Sequence, residues 1–345
     1  MRRPKSLLWV LVGLVLFFQP CFLGQDGPGT QVRLAEPYHQ AHFPALLQGG
    51  FKYWDKGYLV TYALDGTLHV SPNKPGVLLY DKYGHIAREA VVWLNGARSV
   101  SVGDAAVSQS GQLVVSGGTE NEKAVIANFI AEIGSDDRVH KVIRTSPFMP
   151  VYVCALEDGT VWSYGIDRDN HLNGIQNSLR LRHYSFEKGQ LHALFDPSTL
   201  SQDWLLERGS YSGAVSLRCN SKTVVLYNGE SGDLVEIDLR TDSLKITKVA
   251  PLPAVPEFKI PGFALTESGD IFASFYDRSH KPAMSGLFRL SRDNAGGAKW
   301  VAVDGTVGPY LHVSPIERLM GADGDDLVYT SLKDGKMFWS KQSTH

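Results

Sequence analysis

From residue 58 onward one small pattern keeps returning: a short apolar stretch, a polar turn usually ending in glycine, and a second stretch rich in β-branched and aromatic residues. Residues 58–63 run into Leu64-Asp65-Gly66 and then 67–70, and residues 104–107 run into Ser108-Gln109-Ser110-Gly111 and then 112–116. The same device recurs at Glu157-Asp158-Gly159, Asn220-Ser221-Lys222, Glu267-Ser268-Gly269 and Asp323-Gly324-Asp325. The turn centres fall at 66, 111, 159, 222, 269 and 324, at intervals of 45, 48, 63, 47 and 55 residues. Strands bounded by turn residues, with almost no helical periodicity between them, exclude an all-α or α/β chain.

A second hairpin follows within each of the first five repeats, for example 77–81 turning at Lys82-Tyr83-Gly84, and 181–186 turning at Glu187-Lys188-Gly189. Four short strands at a period near 45 residues describe one blade of a β-propeller. The sixth repeat has room for only three strands before the sequence stops at His345. A short strand at 31–35 is expected to supply the fourth, which would remove the open edges of the ring. The sequence therefore predicts an all-β, six-bladed β-propeller with an N-terminal strand closing the last blade. Seven blades remain the alternative if residues 36–57, read as a loop, hold further strands.

The turn segments 81–86 (DKYGHI) and 156–162 (LEDGTVW) resemble those of extracytoplasmic six-bladed propellers of the NHL-repeat and gluconolactonase-like kind. The resemblance is one of repeat architecture over about 31–341, and it implies no catalytic residues. A calcium-dependent lactonase would need a Glu, Asn and Asp set facing the channel, and no set with matching spacing can be assembled. No Gly-X-Ser-X-Gly elbow and no glycine-rich phosphate loop is present.

The start of the chain has a different character. Arg2, Arg3 and Lys5 precede an unbroken apolar run, 7–18, and a polar, turn-rich segment follows at 25–30. That layout is an export signal over 1–24 with a linker at 25–30, ahead of a single domain at 31–345. The run spans about 18 Å as helix, short of a hydrocarbon core of roughly 30 Å. Gly24 suits the position before a cleavage site, whereas Phe22 does not. An uncleaved membrane anchor and a lipoprotein built on Cys21 are the alternatives, the latter opposed by Pro20. The body of the protein is expected outside the cytoplasm, either periplasmic or secreted.

Basic and acidic residues nearly balance, 34 against 36, for a formal charge of −2. No basic excess points to nucleic acid, and three cysteines are too few for a disulfide scaffold or a four-cysteine zinc site. Cys154 and Cys219 fall in the third and fourth repeats, where they either bridge neighbouring blades or stay as buried thiols.

Candidate ligand residues lie on the long loops, which in a propeller share the face opposite the tight turns. Asp167, Arg168, Asp169 and His171 combine oxygen donors with an imidazole, and Asp277, Arg278 and His280 offer a second polar cluster. Both also read as solvated loops. Arg98, Arg144 and Arg208 sit on blade connections, so five guanidiniums including Arg168 and Arg278 are expected near one mouth. Unless they pair locally with carboxylates, they would hold a small anionic or polar ligand bidentately. His39 and His42 have the i, i+3 spacing of a metal pair, and Asp323, Asp325 and Asp326 a carboxylate density that suggests calcium. Neither has a full ligand set, and no metal or cofactor is expected. The function expected is a monomeric binding module for a small ligand or an envelope protein. The alternatives are a hydrolase or lyase acting on a lactone, sugar or peptide, and a structural element of an envelope complex.

Overall fold

The computed structural model describes residues 39–43, 51–62, 69–71, 74–167, 181–193, 215–229, 232–250, 258–277, 284–303, 308–309, 318–333 and 336–342. They form strands and turns, and no helix. The strands group into four-stranded antiparallel units, each running outward from its first strand to its fourth. In the first unit the strands are Phe51–Asp55, Tyr58–Tyr62, Lys74–Tyr80 and Ile86–Val91. The second comprises Ser99–Val107, Leu113–Glu120, Ile126–Ile133 and Val139–Arg144, and the third Phe148–Ala155, Thr160–Asp167, Leu181–Ser185 and Gly189–Ala193. The fourth comprises Val215–Cys219, Thr223–Asn228, Asp233–Asp238 and Ser243–Ala250, and the fifth Phe258–Leu265, Ile271–Asp277, Met284–Arg292 and Ala298–Ala302. A short parallel pairing joins the outer strands of these two units. The sixth has Arg318–Asp323, Asp326–Lys333 and Lys336–Gln342, with His39–Phe43 as its outer strand.

The tight turns form for the reasons legible in their residues. Gly111, Gly159, Gly269 and Gly324 all take positive φ, which glycine adopts without a Cβ penalty. Asn220 makes its turn differently: its side-chain Oδ1 accepts from the backbone N–H groups of Lys222 and Thr223 at 2.9 and 2.8 Å.

The first unit departs from the sequence expectation. Its first turn is Lys56-Gly57, both residues at positive φ (46° and 86°) in the manner of a type I′ hairpin. The turn expected at Leu64-Asp65-Gly66 lies outside the described residues. The segment 36–57, expected as a loop, contains two strands, and neither starts a further unit. Phe51–Asp55 is the innermost strand of the first unit, and His39–Phe43 is the outermost of the sixth. The closing strand expected at 31–35 lies outside the described residues, and His39–Phe43 takes the outer position. That segment being a strand, His39 and His42 lack the shared helical face that a metal pair of this spacing requires.

The inner strands bury most of their residues on both faces, because each unit stacks on the next, whereas the outermost strands stay largely exposed. The apolar clusters sit at the junctions. One joins the first and second units through Tyr53, Val60, Tyr62, Val102 and Ala105. Others join second to third, third to fourth, fourth to fifth and fifth to sixth. A last cluster of Trp54, Leu59, Tyr80, Met320 and Val328 packs the sixth unit against the first. Here Gly321 lies so close to the Trp54 carbonyl that a Cβ would collide with it. The innermost strands of neighbouring units lie against one another.

Candidate functional site

Polar groups belong on the outside of such an assembly, yet several innermost strands carry them inward. Asp104 lies in Ser99–Val107 just after a register shift at Val102/Asp104, and it is 3% exposed. Its Oδ1 accepts from the Tyr62 hydroxyl at 2.6 Å and its Oδ2 from the Val153 N–H at 2.8 Å. One carboxylate thus ties the first, second and third units. Burial pushes its pKa up to about 6, against the opposing pull of the Tyr62 and Val153 hydrogen bonds and the Arg218 charge.

Arg218 comes from the fourth unit and reaches the first. Its guanidinium carbon lies 4.7 Å from the centre of the Tyr53 ring, a cation–π arrangement. Nη1 donates to the Leu217 carbonyl at 2.8 Å, whereas Nε is buried without a hydrogen-bond partner among the described residues. Arg218 makes no ion pair among the described residues. The Tyr53 hydroxyl is likewise buried and without a hydrogen-bond partner among the described residues, and its pKa is raised, first by burial and then by Asp104. Tyr152, on the innermost strand of the third unit, stacks on Tyr164 at 6.3 Å, and burial pushes its phenol up to about 12. Tyr53, Tyr62, Asp104, Tyr152 and Arg218, from the first four units, therefore share one electrostatic neighbourhood. A carboxyl titrating near pH 6, a guanidinium and three neutral phenols can donate to, accept from and neutralise a polar ligand.

The tight-turn end of this centre is cross-linked. Lys56 Nζ donates to the Cys219 carbonyl at 2.7 Å, joining the turns of the first and fourth units. Asp55 Oδ2 accepts from the Val107 N–H at 2.7 Å. Glu267 of the fifth unit accepts from Gln109 of the second at 3.2 Å and from Ser221 of the fourth. Asp325 of the sixth accepts from the Ser268 N–H at 2.7 Å. The carboxylate-rich Asp323–Asp326 segment is thus a tight turn, one of whose carboxylates joins two units. Just inside these turns Cys154 and Cys219 are disulfide-bonded, joining the third and fourth units.

Of the residues expected on the long loops, Arg98, Arg144, Asp167 and Asp277 are among the described residues. Asp167 and Asp277 end the second strands of the third and fifth units, opposite Phe148 and Phe258, so their backbones occupy equivalent positions. Arg168, Asp169, His171, Arg208, Arg278 and His280 lie outside the described residues. Arg98 and Arg144 are exposed, and neither pairs with a carboxylate among the described residues. Arg144 ends the outermost strand of the second unit, on the rim of a cleft that is not lined by the central residues. The structure does not bring either arginine into the central group.

Sequence reasoning missed the central group itself. The signal was a charge within an apolar innermost strand: Asp104 before Ala105-Ala106-Val107, and Arg218 between Leu217 and Cys219. Such positions are costly to fill with a charge unless something pairs with it.

No family model matches the sequence, and no curated protein matches it. Among solved structures, the fold is similar to that of a presumptive exported protein of Bacteroides fragilis NCTC 9343, with 11% identity over 90% of this chain and 86% of that one and a TM-score of 0.50. A luciferin-regenerating enzyme aligns over 88% of this chain and 96% of its own at 12% identity, with a TM-score of 0.48. The Swd1 β-propeller domain of Myceliophthora thermophila aligns over 89% and 98% at 12% identity, with a TM-score of 0.41. At these identities the likeness is one of fold.

Proposed function

We propose that the chain is an exported, six-bladed β-propeller whose six units form one domain closed by His39–Phe43, and that it binds a small polar or anionic ligand at its centre. The observation that carries the binding reading is the convergence of Tyr53, Tyr62, Asp104, Tyr152 and Arg218. Within it Arg218 Nε and the Tyr53 hydroxyl have no hydrogen-bond partner among the described residues. Buried polar groups are normally satisfied, so two orphaned donors beside one another favour an acceptor-rich ligand. The cross-linked tight-turn end directs entry to the opposite, long-loop end. Export is supported by the cationic start and apolar run of 1–24, and by the disulfide, a bond that persists in oxidising compartments.

The test is a thermal-shift comparison with citrate, gluconate and glucuronate on the parent, Arg218→Gln and Tyr53→Phe. At least one acid is expected to raise the melting temperature of the parent, with the rise lost in Arg218→Gln and reduced in Tyr53→Phe. Equal rises in the parent and both folded variants would sink the central site. One observation favours a second reading, a hydrolase or lyase: Asp104 titrates near 6, where a general acid or base operates well.

A further inference from the structure

We propose that the second unit carries a separate binding site for a small organic acid with an apolar body. A cleft of about 610 Å3 opens between the connection 93–97, the loop between the second and third strands, and the outer strand Val139–Arg144. That volume lies within the range of small-molecule sites, roughly 300–1,000 Å3.

Part of the wall is apolar and incompletely covered. Trp93 is half-buried, packed on the apolar junction between the first two units. Val125 and Val142 line the same cleft and remain 55% and 41% exposed. Apolar groups left in water on both sides of one opening are surface that an apolar ligand would cover.

Polar residues share the lining, among them Thr119, Asn121, Asn128, His140 and Arg144. Asn128 lines the cleft at only 5% exposure. Its backbone N–H donates to Ser146 Oγ at 2.7 Å, and its carbonyl accepts from the Thr145 N–H at 3.0 Å. Its carboxamide has no hydrogen-bond partner among the described residues. The carboxamide borders the cleft and can donate to or accept from a polar atom that enters it. At the rim Arg144 is exposed and unpaired among the described residues. Two acids of the same outer hairpin are already engaged: Asp136 with His140 at 2.8 Å, and Glu132 with Lys141 at 3.3 Å. Lys74 Nζ lies 5.5 Å from the centre of the Trp93 ring and adds positive charge on that wall.

These features select a class. A neutral sugar would leave Arg144 without a counter-charge. A phosphate or sulfate would leave the Trp93, Val125 and Val142 surfaces wet. An apolar body ending in a carboxylate satisfies both, with the carboxylate on Arg144 and the body against Trp93. The cleft shares no residue with the central group, so this site stands or falls independently of it.

The probe is 4-phenylbutyrate, titrated by ligand-detected magnetic resonance beside its neutral analogue 4-phenylbutyramide. The acid is expected to bind, with about a tenfold weaker Kd for the amide and about a tenfold weaker Kd for the acid on Arg144→Gln. The two losses should not add, because both remove one contact. Val142→Asp, which brings a like charge to the same wall, should weaken the acid further. Arg144 and Val142 are exposed, so the variants should melt like the parent, and the melting curve checks this. The proposal is overturned if acid and amide bind equally, if Arg144→Gln leaves the acid's Kd unchanged, or if the acid shows no saturation by roughly 10 mM.

Discussion

Asp104 and Arg144 both belong to the second unit, one on its innermost strand and one on its outermost. Asp104 is almost fully buried, and its two oxygens are held by groups from the first and third units. Arg144 is exposed and makes no ion pair among the described residues. The burial of the two strands follows the same division: every residue from Asp104 to Val107 is buried, whereas Val139–Arg144 buries only Ile143. A charge near the centre therefore acts on the assembly of neighbouring units, while a charge at the rim is available to something else. Changes to the inner strands should cost stability, and changes to the outer strands should cost recognition alone.

The largest effect expected on this contrast comes from the disulfide on the inner strands. Cys154 and Cys219 are separated by 65 residues, and closing a loop of that length is worth about 4 kcal/mol in the chain-entropy account. Removing it with Cys154→Ala and Cys219→Ala should lower the unfolding free energy by up to that amount in urea titrations. A change below about 1 kcal/mol would show that the inner strands do not hold the units together as described.

Next comes the pH dependence of Asp104. Its folded pKa of about 6 lies above the ordinary 3.8, so the folded state favours the protonated form. The stability this provides is present below about pH 4 and lost as pH rises through about 6, a fall of about 3 kcal/mol. Urea unfolding at pH 4, 5, 6 and 7 should show the fall in the parent, and Asp104→Asn should flatten it. An unchanged slope in the variant would mean that other groups govern the region. The smallest effect is expected at the rim: Val142→Thr should shift the unfolding free energy by no more than about 0.5 kcal/mol.

How much of this was legible depends on sequence distance. The turns at Gly111, Gly159, Gly269 and Gly324 could be read from a few adjacent residues, because their positive φ is a local requirement. The first unit was misplaced because Asp55-Lys56-Gly57 and Leu64-Asp65-Gly66 both carry turn chemistry, and the pattern offered no reason to prefer the earlier one. The aromatic strand Phe51–Asp55 precedes the first turn that the repeat pattern marks, so the pattern does not include it. The central group could not be read at all from adjacent residues. Tyr53, Asp104, Tyr152 and Arg218 lie on four different repeats, and only the packing of successive units brings them together. Arg144 stands at the other extreme: it ends an outermost strand and is exposed.

The outer strand of the sixth unit has a mechanical consequence. His39–Phe43 runs antiparallel to Lys336–Gln342, with His39 opposite Lys341 and Phe43 opposite Met337. The chain preceding His39 and the chain following Gln342 therefore leave the sheet at the same end. Tension drawing these two segments apart loads the ladder from that end, peeling its hydrogen bonds in succession instead of shearing them together. Attached through its N-terminal segment and pulled from its C-terminal one, the protein would yield first at this seam, and at lower force than a sheet whose two ends emerge at opposite edges.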